Sequence, residues 1–154
     1  MAYAIEAIIA KMDTLKKANI EMDIVILLYD IGMLPLTHEN RNSLHIECLL
    51  LENYQEIFVD KKLDGLGKTI SEFGKVAFIQ ADFFGGGGSQ ACMVWENGNR
   101  IRLEVGNYAI NHAIKEIDVN IGCAGKDEFD CLELGRFRHT YKWAEIAVQI
   151  APAG

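Results

Sequence analysis

Apolar residues at Ile5, Ile8, Ile9, Met12 and Leu15 recur at steps of three and four, while Glu6, Lys11, Lys16 and Lys17 fall off the stripe. That spacing predicts an amphipathic helix over residues 4 to 18, with Asn19 as its stop. Residues 24 to 29 are continuously apolar and β-branched at their start, which reads as a buried strand, although a short helical segment has the same pattern. Gly32 and Pro35 end it. Thr37 is placed to cap a second helix over residues 38 to 52 that turns Leu44, Cys48, Leu49 and Leu51 inward. Asn40 stands where Glu or Gln would complete a capping box, so the cap is partial. A third helix over residues 63 to 73 is weakened by Gly65 and Gly67.

The middle of the chain changes period. Residues 75 to 82 and 89 to 95 read as strands, Asn97-Gly98 is a tight-hairpin signal, and residues 100 to 105 return with strict alternation. Ile101, Leu103 and Val105 share one face, and Arg100, Arg102 and Glu104 the other. Four consecutive glycines, Gly85 to Gly88, join the first two strands. Glycine loses more backbone entropy on folding than any other residue, so such a run is costly to order unless a sharp turn, a close backbone approach or a ligand requires it. A helix over residues 108 to 117 follows, with Ala109, Ala113, Ile114 and Ile117 inward. Neither period fits the segment after Gly122, and residues 143 to 150 form a closing helix or tail. The fold class expected is a single α+β domain with a mostly antiparallel sheet, its central meander spanning about residues 75 to 105, packed by helices.

Charge narrows the partners. Fifteen Lys and Arg against 22 Asp and Glu leave a net charge of -7, which repels nucleic-acid backbones and anionic membranes and attracts a basic protein partner. No apolar run reaches the ~20 residues of a helical membrane span, and the first residues lack the basic and cleavage features of a secretory signal. A cytoplasmic setting is expected, with Cys48, Cys92, Cys123 and Cys131 as reduced thiols. A homo-oligomer is compatible with all of this.

Candidate chemistry is sparse. A phosphate cradle needs glycine-rich backbone that opens into a helix, and Ser89 onward reads as a strand without the Lys-Ser or Lys-Thr ending of a P-loop. The sequence Gly87-Gly88-Ser89-Gln90-Ala91 misses the serine elbow by its last residue. The cysteines and histidines lack the short ligand spacings of a structural metal site, so no metal and no cofactor are expected. Cys92 lies inside an apolar strand pattern, where burial makes a thiol inert. Asp127, Glu128, Asp130 and Glu133 sit beside Arg136, Arg138 and His139, which reads as a charged surface rather than a catalytic pair. Phe83 and Phe84 are adjacent, so on a strand one of them points away from the main core.

Residues 81 to 98 carry Asp82-Phe83-Phe84, the glycines, Gln90 and Trp95-Glu96-Asn97-Gly98, and residues 127 to 140 carry Asp127-Glu128-Phe129-Asp130 and Gly135-Arg136-Phe137-Arg138-His139. Together these segments resemble a group of small bacterial proteins with an acidic-aromatic-Gly-Gly, Gln, Trp-x-x-Gly pattern. That group is similar to immunity-type proteins encoded beside polymorphic or contact-dependent toxins. The resemblance implies a non-enzymatic interaction domain, with Asp82, Phe84, Gln90, Asp127, Glu128 and Asp130 as partner-binding candidates and a basic toxin domain as partner. Two alternatives stand beside it. One is a small-molecule or phosphate-binding protein that uses Gly85, Gly86, Gly87, Gly88 and Ser89. The other is an enzyme with a site near Cys123, Asp130 and His139, which requires those side chains to converge.

Overall fold

The most apolar stretches of the chain pair edge to edge. The computed structural model describes residues 2–52, 56–85 and 87–152. Its strands are β1 (Tyr3–Lys11), β2 (Val25–Ile26), β3 (Ile31–Pro35), β4 (Val76–Phe84), β5 (Gly87–Glu96) and β6 (Asn99–Val105). They form one sheet in the order β2-β3-β1-β4-β5-β6, and every neighbouring pair is antiparallel. The helices are α1 (Met12–Lys17), α2 (His38–Leu44), α3 (Lys61–Ser71), α4 (Ala109–Ile117), α5 (Glu128–Cys131) and α6 (Thr140–Ala144). The expected single α+β domain with its antiparallel meander is therefore present.

Helices cover both faces of the sheet. On one, Ile5, Ala7, Ile9, Ile79, Cys92 and Val94 pack against Ile110 and Ile114 of α4, Cys131 of α5 and Trp143 of α6. On the other, Ile8, Ala10, Phe78, Met93 and Trp95 pack against Leu15 of α1 and Leu63 and Ile70 of α3.

The first helix expected from the sequence is mostly a strand. Residues 3 to 11 form β1, the partner of both β3 and β4, and only Met12 to Lys17 are helical. Ala7 and Ala10 are fully buried alongside Ile5, Ile8 and Ile9. A strand buried on both faces needs no alternation, and its three β-branched isoleucines favour the extended backbone. The strand expected over residues 24 to 29 shrinks to β2, because Tyr29 and Asp30 turn with positive φ (59° and 60°). The chain then re-enters the sheet as the wholly buried β3. Gly32, read as a terminator, lies inside that strand because a Cβ there would come within 2.6 Å of both Leu15 Cδ1 and Met12 Sδ.

Thr37 caps α2 as expected, its Oγ1 accepting from Asn40 N at 3.1 Å. The helix stops at Leu44 rather than residue 52, since His45 takes a left-handed conformation with φ 58°. The N-cap of α3 is Asp60, buried beneath the preceding loop. Its carboxylate accepts from Lys62 N and Leu63 N at the start of α3 and from Glu47 N and Cys48 N of that loop. Burial opposes ionisation of Asp60, but these four N–H donors outweigh it and hold the carboxyl below its usual range. Gly67 lets α3 lie directly on the Trp95 indole, where an added Cβ would overlap the ring. After α6 the tail returns to the sheet edge, where Ile24 and Val148 exchange backbone hydrogen bonds of 2.8 and 2.9 Å.

Candidate functional site

The glycine run is a strand connection. Phe84 pairs with Gly87 and Phe83 with Gly88, leaving only positions 85 and 86 between β4 and β5. Gly85 has φ +62°, a conformation that favours glycine, and Gly86 lies outside the described residues. Gly88 meets a different demand: a Cβ there would strike the Asp82 carbonyl oxygen and lie 2.6 Å from Phe83 Cα. No helix opens after Gly88, since β5 runs on to Glu96.

The parity of β4 then sorts its last residues. Phe83 turns toward the core under α4 and is half-buried there. Asp82 and Phe84 turn to the opposite face, and Phe84 is 78% exposed. They line a cleft of about 540 Å³ together with Leu50, Leu51, Glu56, Ile57, Gly87, Gly88, Ser89 and Val105. Ile57 and its neighbour Phe58 are also more than half exposed. Among the described residues two carboxylates and no basic side chain line the cleft, so its walls are apolar with a negative bias. That bias opposes an inorganic anion and favours a cation carried on an apolar group.

Gln90 is not part of this cleft. It turns to the α4 face, where its Oε1 accepts from Ile110 N at 3.1 Å and satisfies one of the free amides in the first turn of α4. The acidic candidates lie on that same face. Asp127 caps α5 through Asp130 N (2.9 Å) and accepts from Asn111 Nδ2 (3.1 Å), while Glu128 pairs with Lys115 (3.2 Å). Asp130 is exposed. The sheet therefore stands between the Asp82–Phe84 cleft and the acidic segment, and the two are separate surfaces.

The third candidate set does not assemble. Cys123 is joined to Cys131 in a disulfide, a correction to the expectation that all four cysteines are reduced thiols. The turn over residues 123 to 126, closed by Lys126 N donating to Cys123 O, and the short α5 bring the two cysteines to a Cα separation of 6.2 Å. Cys123 therefore offers no nucleophilic thiol. His139 stacks on Tyr141, with ring centroids 5.5 Å apart, and among the described residues it makes no hydrogen bond to Asp130. Cys92 is fully buried, and burial, helped by nearby Glu104, pushes its thiol up to about 12. Among the described residues no group of three or more His, Cys, Asp or Glu side chains is placed to hold a metal ion. No helix among them is long and apolar enough to cross a membrane.

No protein-family model matches this chain, and comparisons with curated proteins and with solved structures find no match.

Two polar arrangements escaped the sequence reading. Glu6 sits half-buried on β1, where its Oε2 accepts from Thr140 Oγ1 at 2.8 Å and burial raises its pKa. On the outermost strand, Arg102 Nη1 donates to Glu104 (2.9 Å) and Nη2 to Glu116 (3.1 Å), and His112 Nδ1 lies 2.8 Å from the Glu104 carboxylate. The alternation of residues 100 to 105 foretold one polar face for Arg100, Arg102 and Glu104; a bulge turns Arg100 to the other face, opposite Trp95, and nothing in the sequence pairs Arg102 and Glu104 with α4.

Proposed function

We propose that this protein is a non-enzymatic binding module that grips a protein partner at the β4–β5 hairpin. In its most concrete form the role is immunity-like, with a basic toxin domain as the partner. The observation that carries this reading is Phe84, a large aromatic held 78% exposed on a paired strand beside the Asp82 carboxylate. A rigid exposed aromatic next to a desolvatable charge is the composition of a binding hot spot. The net charge of -7 steers a basic partner toward it. Phe84→Ala and Asp82→Ala should each weaken capture of a basic toxin domain, taken from any toxin gene that proves to adjoin this one, by about tenfold or more. Both should leave the thermal midpoint within about 1 °C of the parent, because neither side chain is buried. Unchanged affinity in both variants, or affinity and stability lost together, would defeat the reading.

A second reading rests on the size and lining of the cleft. At about 540 Å³ it falls in the range of small-molecule sites, and its apolar walls with two carboxylates suit a cationic amphiphile. Such a ligand would raise the midpoint of the isolated protein in a concentration-dependent way, and Phe84→Ala would abolish the rise.

A further inference from the structure

The strand β6 ends the sheet, and among the described residues its outer edge is covered by no other strand. Edge strands in stable proteins are ordinarily blunted, because their outward N–H and C=O groups are a template for further pairing. Here the blunting is incomplete. Ile101 (46%), Leu103 (39%) and Val105 (43%) are exposed on the α3 face, although their alternation is that of an inward-facing strand. A bulge between Val94 and Trp95 seats Arg100 opposite Trp95 on this same face, where its guanidinium reaches Asp64 at 3.2 Å. Ile101 is the extra residue of that bulge, and residues 102 to 105 are left as a short regular edge.

We propose that this edge pairs with the same edge of a second copy of the chain, antiparallel and centred on Leu103, joining the two sheets into one. A two-fold axis perpendicular to the sheet keeps each face on its own side, so the axis must pass through a residue that pairs with itself. Centring on Arg102 sets two arginines directly opposite, and centring on Glu104 sets two glutamates opposite; both are unfavourable. Centring on Leu103 places Leu103 against Leu103 and Arg102 against Glu104, twice over, and brings the bulged Ile101 beside Val105 on the same apolar face. The segment is self-complementary in charge and in apolar face only in that register. The Arg102 side chain keeps about a third of its surface exposed while it pairs with Glu104 and Glu116, so the Glu104 of a second copy meets an accessible guanidinium. The edge shares Val105 with the hairpin cleft, but Arg102, Leu103 and Glu104 do not line that cleft, so substitutions there test the dimer separately from what the cleft binds.

Sedimentation velocity of the full chain from micromolar to millimolar concentration should show the mass rising from 17.2 kDa toward twice that value. R102E and E104R should each dissociate the dimer by at least about tenfold, since each variant alone sets like charges opposite one another. Mixed in equal amounts they should associate with each other, because the two acidic side chains of the first variant's edge then face the two basic side chains of the second's. L103K leaves the Arg102 and Glu104 bonds within the chain intact and should also give a monomer, with an unchanged circular dichroism spectrum showing that it folds. A monomer at every concentration would leave the edge to a strand of some other protein and overturn the proposal. So would a dimer that survives L103K, or folded R102E and E104R chains that ignore each other when mixed.

Discussion

Gly65 and Gly67 lie two residues apart in α3, and replacing each with alanine should shift stability in opposite directions. In a helix interior alanine is favoured over glycine by about 1 kcal/mol. At Gly65 nothing lies within 4 Å of an added Cβ, so that gain is realised in full. At Gly67 the new Cβ overlaps three atoms of the Trp95 indole. The ring has nowhere to go: it is completely buried, and its Nε1 donates to Asp64 Oδ1 at 2.9 Å. Overpacking a core costs about 1–3 kcal/mol, and a methyl driven into a pinned ring belongs at about 3. The net effect at Gly67 is then a loss of about 2 kcal/mol. For a chain of this size each kcal/mol moves the midpoint by about 2–4 °C. Gly65→Ala should therefore raise the melting temperature by about 2–4 °C and Gly67→Ala lower it by about 4–8 °C, read by circular dichroism with urea titrations alongside. Equal stabilisation by both substitutions would mean that α3 does not rest on Trp95, and the packing of that whole face would need to be redrawn.

Reducing the Cys123–Cys131 bond releases a short loop, with the cysteines 8 residues apart in sequence. Chain entropy puts its worth at about 2.5 kcal/mol, so dithiothreitol or Cys123→Ser should lower the midpoint by about 5–10 °C; no change would show the two sulfurs to be unbonded in solution. Asp60 and Glu6 should give opposite pH signatures. Asp60 is held below its ordinary 3.8, so its contribution is complete above that pH and is lost as pH falls through the lower folded value. Asp60→Ala should cost about 3 kcal/mol at pH 7 in a urea titration, from a lost cap and further unpaired amides, and visibly less below pH 3.8. Burial raises Glu6 above its ordinary 4.5, so the folded state prefers the proton and stability falls as pH climbs through the folded value. Glu6→Gln should thus stabilise at pH 7 and give no gain below pH 4.5; a gain at both would point to an effect other than ionisation.

The meander was legible because its signals are local. Asn97-Gly98 needs positive φ at its turn, and both residues have it, at 50° and 79°. Residues 76 to 84 and 87 to 95 pair across the glycines in register. The N-terminal strand was illegible for an equally physical reason. Ala7 and Ala10 are silent in a helical count, yet they are buried on opposite faces of β1. Leaving them out turns a doubly buried strand into a stripe with steps of three and four. Gly32 and Pro35 misled in the other direction. One is a close-packing position and the other ends β3, and a sequence read alone treats both as breakers.

The cleft shows the same division between local and non-local information. Adjacency of Phe83 and Phe84 was enough to require that one of them face outward, since neighbours on a strand alternate. Which one was fixed by the pairing of β4 with β1, where Tyr3 opposes Phe83. The residues that complete the cleft, Leu50, Glu56, Ile57 and Val105, come from a loop and a strand far away in sequence, and no spacing rule links them. A hairpin whose tip carries no side chains cannot cover its own last aromatic. Placing the glycines at 85 to 88 therefore does two things at once: it lets β4 and β5 approach and turn, and it leaves Phe84 standing clear beside Asp82. A phosphate cradle would need a helix opening after Gly88 with its amides free, and β5 runs there instead, with Phe84 standing exposed on the strand before it.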